Sequence, residues 1–228
     1  MSHIINQYYT KSIRLTPNGF SLFKLDSAGR FHREDHANEE NVLLSQRATS
    51  FFDFQPEEES AVEVVVATHV PMLVPDIIFE ESKIKDYLAI QFDIAQLVQA
   101  FADSMGLYRS ICFLTRNECD ILSTLPFKIV FKSEAAILYD FLLHQEAAEA
   151  VLLSVNSHFV DFFVMHANAP ALVNRSFRTE NVDVLYYSLN CVQQFGMAEP
   201  TFYVHYFSQP NKKLNTLLRQ YHNKVEVL

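Results

Sequence analysis

Two stretches of the chain, about 140 residues apart, repeat one order of apolar and polar segments. In the first, an apolar segment from Ile13 to Leu15 runs into the turn residues Pro17, Asn18 and Gly19 and resumes as Phe20 to Leu25. A charged loop follows, then a helix opening with Glu40, Asn41 and Val42 and carrying Ala48, Phe51 and Phe52, then a strand from Val62 to Ala67. In the second, Val151 to Val155 runs into Asn156 and Ser157, Phe159 to Met165 returns, and Ala171 to Phe177 supplies a third strand. A helix opening with Glu180, Asn181 and Val182 and a strand from Thr201 to Phe207 complete that copy.

Periodicity refines these elements. Every position from Phe159 to His166 suits burial, which predicts a strand with neighbours on both sides. The helix after Thr179 begins with a capping residue, spaces Val182, Leu185, Tyr186, Leu189 and Val192 along one face, and stops at Gly196. Pro210 opens a last helix whose Leu214, Leu217, Leu218 and Tyr221 share a face, and Val225 to Leu228 ends the chain as a short strand. Between the copies, Pro71 and Pro75 bracket an extended piece and a helix spans about Asp76 to Gln91. Leu97 to Ala102 fits strand or helix, and Arg109 to Leu114 is a strand. Thr115 and Glu118 then form a capping box for a helix with Ile121 and Leu122. Lys128 to Phe131 is another strand, and Ser133 caps a helix with Ile137, Leu138, Phe141 and Leu142.

A hairpin or meander followed by helix, strand, helix and strand is a ribonuclease-H-like order. Two such units predict an α/β protein of bilobed, actin-like architecture, with mixed sheets flanked by helices. The first lobe, with the connecting α/β segment, takes residues 1–149 and the second 150–228. The loops Gln55 to Glu59 and Gln145 to Glu149 are too short to be flexible linkers between independent domains.

Composition narrows the function classes. Half the 228 residues are apolar, enough for a true core. A net charge of −9 excludes a general nucleic-acid binder, which needs a basic stripe to displace counterions. The acid gathers at Glu57, Glu58, Glu59, Glu63, Glu80 and Glu81, as on a solvated surface, and Lys212, Lys213 and Arg219 make no basic patch. Three cysteines, Cys112, Cys119 and Cys191, form no CxxC pair and suit reduced thiols. Met1 to Asn6 has no basic region leading into an apolar stretch, and no apolar run is long enough to span a bilayer. The expectation is a soluble, cytoplasmic protein.

Candidate chemistry is sparse. His32 and His36, with Glu34 and Asp35 between them, make the best metal-like cluster, but they lie in a charged loop or helix start without a zincin's glutamate. His158, His166 and His205 are expected to be structural. Asp161, between Phe159 and Phe163 in a buried strand, needs a partner such as Arg175 or a place at the mouth of a cleft. Asp120 beside Cys119 makes that thiol a poor nucleophile. Tyr186 and Tyr187 fit core packing better than recognition. No G-x-S-x-G elbow, Walker loop or dinucleotide fingerprint is present.

The run Asn174, Arg175, Ser176, Phe177, Arg178, Thr179, Glu180, with Asp183, Tyr186 and Tyr187, forms an N-x-F-x-T-E-x-x-D-x-x-Y-Y signature. It resembles the uncharacterised bacterial family known as domain of unknown function 3822, whose fold is described as actin-like ATPase. The stretch around Val74 and Pro75 and the helix after Ser133 fit the same family, so the resemblance covers most of the chain. It implies two D-x-G hairpin turns holding ATP and Mg²⁺, with glycines near the adenosine. Here the second turn has Ser154 for the first Asp, Asn156 for Gly, then Ser157, with Asp161 as the later Asp. In the first turn Thr16 and Asn18 take the corresponding places and Gly19 comes one position late. Phe207, Ser208, Gln209 and Pro210 stand where the adenosine glycines belong, and the chain has only four glycines, at 19, 29, 106 and 196. The expectation is a protein-binding or scaffold component without catalytic residues, cofactor or metal, working on an unidentified protein partner. The alternative is an ATP-dependent switch with a degenerate site between the lobes. A third, an enzyme built around that cleft and Asp161, has no motif to carry it.

Overall fold

The computed structural model describes the chain apart from residues 1–8, 38–42, 54–60, 146, 178–179 and 208. It separates into two compact units, divided between Ala136 and Ile137.

In the unit that ends at Ala136, strands β1 (Lys11–Thr16), β2 (Gly19–Leu25) and β3 (Phe31–Ala37) form an antiparallel meander. Helix α1 (Leu44–Phe51) leads to β4 (Val62–Val66), parallel to β1. A smaller sheet follows, built from β5 (Met72–Pro75), then helix α2 (Ile84–Ala89), β6 (Leu97–Met105) and β7 (Tyr108–Thr115), in the order β5-β7-β6. Helix α3 (Arg116–Leu122) returns the chain to the first sheet as β8 (Ile129–Ser133), completing the order β3-β2-β1-β4-β8. Helix α4 (Glu134–Leu143) contains the division between the units.

Alternation in β1, β2 and β4 puts Ile13, Leu15, Leu22, Val62, Val64 and Val66 on one face, where they meet Ala48 and Phe51 of α1 and Leu122 of α3. The intervening Arg14 is turned to the other face and is 1 % exposed. Its guanidinium holds Glu134 through Nε to Oε1 at 2.5 Å and Nη2 to Oε2 at 3.0 Å, and the Tyr9 hydroxyl donates to the same carboxylate at 3.3 Å. Glu134 opens α4, where a negative charge also favours the helix dipole.

The unit beginning at Ile137 holds β9 (Ala150–Val155), β10 (Phe159–His166), β11 (Ala169–Phe177), helix α5 (Asn181–Phe195), β12 (Thr201–Tyr206), helix α6 (Lys212–Tyr221) and β13 (Lys224–Val227). The order β11-β10-β9-β12-β13 matches the first sheet, with antiparallel neighbours on one side of the leading strand and parallel ones on the other. As expected, β10 lies between two strands, and all but its last residue are buried. Val151, Leu153, Phe162, Phe202 and Val204 pack on one face with Val184 and Leu185 of α5 and Leu214 and Leu218 of α6.

Several expectations change. The stretch after β2 is the edge strand β3, because backbone pairing to β2 alone supports it and an edge tolerates charges on both faces. The helix expected over Asp76 to Gln91 is broken into two 3-10 turns and α2. Tyr87 accounts for part of the break: its hydroxyl donates to Ile78 O at 2.6 Å and accepts the Glu80 N–H at 3.2 Å, taking up backbone groups a continuous helix would use. The ambiguous segment at Leu97 is strand β6. The expected opening of α1 at residues 40–42 and the cap at Thr179 lie outside the described residues. Helix α5 is capped by Glu180 and Asp183, and α6 starts after Asn211, whose side chain accepts the Leu214 N–H at 3.0 Å. Tyr221, 59 % exposed, is not on the buried face of α6.

The buried stripe of α5 is Val184, Leu185, Ser188 and Cys191, whereas Val182, Tyr186 and Leu189 face outward. Ser188 explains the change: its hydroxyl donates to Leu185 O at 2.8 Å and lies 3.0 Å from His222 Nε2, so this polar residue is satisfied inside. Because that hydroxyl proton is spent on Leu185, His222 donates from Nε2 as a neutral imidazole.

Burial pushes the His222 imidazole down to about 4 from its ordinary value of 6.5. Between those pH values the unfolded chain binds a proton that the native one refuses, so stability is complete above the upper value and falls as pH drops toward the lower. Urea unfolding is expected to lose on the order of 2–3 kcal/mol from this group between pH 7 and pH 4, and His222→Asn is expected to remove that part of the pH dependence. An unchanged pH profile in the variant would contradict the assignment.

Candidate functional site

The residues that the family resemblance sets against phosphate loops sit at two hairpin turns, one in each unit. In the first, Thr16 pairs with Gly19 across Pro17 and Asn18. The Thr16 hydroxyl donates to Gly19 O at 3.0 Å, and Asn18 is exposed. Gly19 has φ +148°, and a Cβ there would stand 1.9 Å from the carbonyl oxygen of His36 on β3. The glycine is therefore required by the close approach of β3. Beside the turn is a pocket of about 220 Å³, lined by Thr16, Pro17 and Gly19 from the hairpin, by Thr68, and by Thr115 and Glu118 at the start of α3. Glu118 completes the expected capping box, its carboxylate accepting the Thr115 N–H at 2.6 Å and hydroxyl at 2.8 Å. Among the described residues lining this pocket there is no lysine, arginine or histidine.

The second turn consists of the exposed Ser157 and His158. It is closed by the Asn156 N–H donating to Phe159 O at 2.9 Å. Asn156 is buried and donates from Nδ2 to Ser154 O at 3.2 Å, so its amide is folded back on its own strand. Ser154, fully buried, lies in register with Asp161 on β10 and His205 on β12. Arg175 lies directly opposite Asp161 on β11 and grips it with both forks, Nε to Oδ1 at 2.6 Å and Nη2 to Oδ2 at 2.9 Å. Both side chains are nearly buried, and the guanidinium carbon stands 3.9 Å from the centroid of the Phe159 ring. Asp161 thus has the partner that its burial demands.

Superposing the closing pairs changes the correspondence between the turns. Thr16 and Gly19 close the first hairpin as Asn156 and Phe159 close the second, so Thr16 matches Asn156 and Arg14 matches Ser154. By the same register Ser21 matches Asp161, and Asp35 matches Arg175. Ser154, expected in place of the loop's first Asp, is therefore matched in the other copy by Arg14 and not by Thr16. Local pattern missed Arg14 because its partner Glu134 is 120 residues away. The one sign of it is a single arginine within an apolar strand.

The remaining candidates take structural positions. His32 and His36 are on β3, four residues and about 13 Å apart, too far to share an ion. His32 bonds to Asp26 at 2.9 Å and His36 to Glu34 at 3.3 Å. His166 lies 3.5 Å from Glu149, and the buried His205 meets the Phe207 ring edge-on. Phe207 itself is buried and donates its N–H to Val155 O at 2.8 Å, and Ser208 lies outside the described residues. Burial pushes the Cys112 thiol up to about 12 and also raises Cys191 and Cys119, the last with help from Glu118 and Asp120. Tyr187 meets Phe162 edge-on and Tyr186 packs on Tyr187 at 5.4 Å, but Tyr186 is 64 % exposed and is not core.

Removing one member of a buried ion pair strands the other, at about 3–5 kcal/mol. Asp161→Leu and Arg175→Met are each expected to destabilise on that scale, while the double variant loses far less than the sum. Strictly additive losses in denaturant unfolding would show that the pair is not coupled.

The fold has known counterparts. A crystal structure of a Bacteroides thetaiotaomicron protein with actin-like ATPase fold and unknown function superposes with a TM-score of 0.73 at 16% identity, over 98% of this chain and 91% of that one. The PilM-PilN type IV pilus biogenesis complex gives 0.62 at 11% identity, over 96% of this chain and 88% of the other. Ethanolamine utilization protein EutJ from Carboxydothermus hydrogenoformans gives 0.50 at 7% identity, over 96% and 84%. These likenesses establish an actin-like ATPase fold. No protein of curated function is detectably similar in sequence. Residues 1–225 match the family of proteins of unknown function DUF3822, and the chain belongs to that family.

Proposed function

We propose that this protein is a non-catalytic, protein-binding component whose actin-like fold arose by duplication of one unit and whose phosphate loops no longer take a nucleotide. The observation that carries this reading is the bidentate Asp161–Arg175 pair, which occupies both oxygens of the one carboxylate left in either loop. A magnesium ion would have to compete with a guanidinium already in place. The other loop residues support the same reading. Arg14 is committed to Glu134, Gly19 to the approach of β3, and Asn156 to Ser154 O. The pocket beside the first turn offers Glu118 to an incoming phosphate, the wrong sign of charge. The matching strand order of the two sheets supports duplication.

With chemistry set aside, a scaffold of two such units has binding left to do. PilM, a structural neighbour, is seen in complex with PilN, and partnering of that general kind is the role assigned here. Three free cysteines and the absence, among the described residues, of a helix long and apolar enough to cross a membrane suit a reducing, cytoplasmic setting.

Affinity purification from the native host after reversible crosslinking tests the proposal. A specific protein is expected to co-purify equally with and without Mg-ATP. No specific partner would contradict the binding role, and a partner released or recruited by Mg-ATP would favour the nucleotide switch.

A further inference from the structure

β11 closes one side of the second unit's sheet. The Asn156 N–H donates to Phe159 O, which sets the phase of the ladder: Phe159, Asp161 and Phe163 direct their backbone groups to β9. Val160 and Phe162 then direct theirs to Ser176 and Asn174 of β11. Val173, Arg175 and Phe177 consequently aim N–H and C=O out of the sheet. The Arg175 N–H donating to the Asn174 side-chain oxygen at 2.9 Å agrees with that direction.

Edge strands are usually blunted by charge, proline or short length. β3, the matching edge of the other sheet, carries His32, Arg33, Glu34, Asp35 and His36. β13 has four residues, two of them charged, and β5 has four, ending in proline. β6 and β8 meet at Asp103, whose Oδ2 accepts the Ser133 N–H at 2.5 Å. β11 differs from all of these. It runs nine residues, its proline stands near the start, and its one ionisable side chain, Arg175, is neutralised by Asp161. Phe177 at its end is 77 % exposed.

We propose that a second copy of this chain pairs with β11, edge to edge and antiparallel, about a two-fold axis at Arg175. In that register Val173 of each copy lies opposite Phe177 of the other, an aliphatic–aromatic cross-strand pair that covers the exposed ring. Arg175 meets Arg175, and the usual like-charge penalty is removed because each guanidinium already holds a carboxylate. Pairing requires the exposed Asn174 side chain to release the Arg175 N–H, and the strand is then complementary to itself in hydrogen bonds, charge and side chains, as an isologous interface requires. The result joins two five-stranded sheets into one.

Light scattering over a concentration series tests the pairing. The wild-type mass is expected to rise from the chain's 26.3 kDa toward twice that value. Val173→Pro deletes an N–H that no described strand of the same chain uses, so the β10–β11 ladder survives while the dimer is lost and the melting temperature of the monomer is kept. Phe177→Lys is expected to abolish the dimer as well, and it carries the test if the proline variant fails to fold. A wild-type protein that stays monomeric to its solubility limit, or a dimer that survives both substitutions, would overturn the proposal. So would a photo-crosslinker at Val173 that captures only a strand of a different protein.

Discussion

Asp161 lies opposite Arg175 across β10 and β11, and both are nearly sealed from water. An uncompensated carboxylate at that depth costs several kcal/mol, so once the strand is buried on both faces the acid must be matched. The guanidinium matches it in charge and shape, and Phe159 supports the guanidinium from its ring face. Three residues are thereby fixed together: a buried strand aspartate, a strand-edge arginine and the first residue after the second turn. Any ligand that needed Asp161 would first have to displace this arrangement.

The same register in the other sheet carries a different solution. Ser21, the counterpart of Asp161, donates its hydroxyl to Asp35 at 2.7 Å, and Arg14, the counterpart of Ser154, reaches Glu134. Each unit thus sets a polar row across one sheet face and pairs its charged members from within, while the buried Ser154 hydroxyl in the second row has no hydrogen-bond partner among the described residues. In one unit the row ties two neighbouring strands. In the other it also ties β1 to the first turn of α4, with Tyr9 as a further donor. Internal pairing of this kind specifies how each sheet packs around its row.

Much of the fold was legible because its signals are local. The Pro17-Asn18-Gly19 turn, the buried run of β10, the Thr115–Glu118 capping box and the left-handed Gly196 that ends α5 each follow from residue type and spacing. What stayed hidden depends on distant partners. β3 is charged along its length and is a strand only because β2 pairs with it. The inward stripe of α5 passes through Ser188, which a hydropathy pattern assigns to solvent until His222 is in place. The correspondence of the two turns was two residues off, since a linear string does not show which pair closes each hairpin. Of the candidate site, the residues were visible but their commitments were not: Gly19 stands in the right neighbourhood for a phosphate loop and is there for the carbonyl of His36.

The claim that Arg14, Thr16, Asn156 and Asp161 beside the two turns spend their polar groups internally is tested most directly by titrating Mg-ATP into the isotopically labelled protein and following backbone amide resonances. The account predicts that the amides of Asn18, Gly19, Asn156 and Ser157 stay where they are to millimolar ligand, on the order of the weakest affinities of interest. Saturable shifts at both turns, lost in Asp161→Asn, would contradict it.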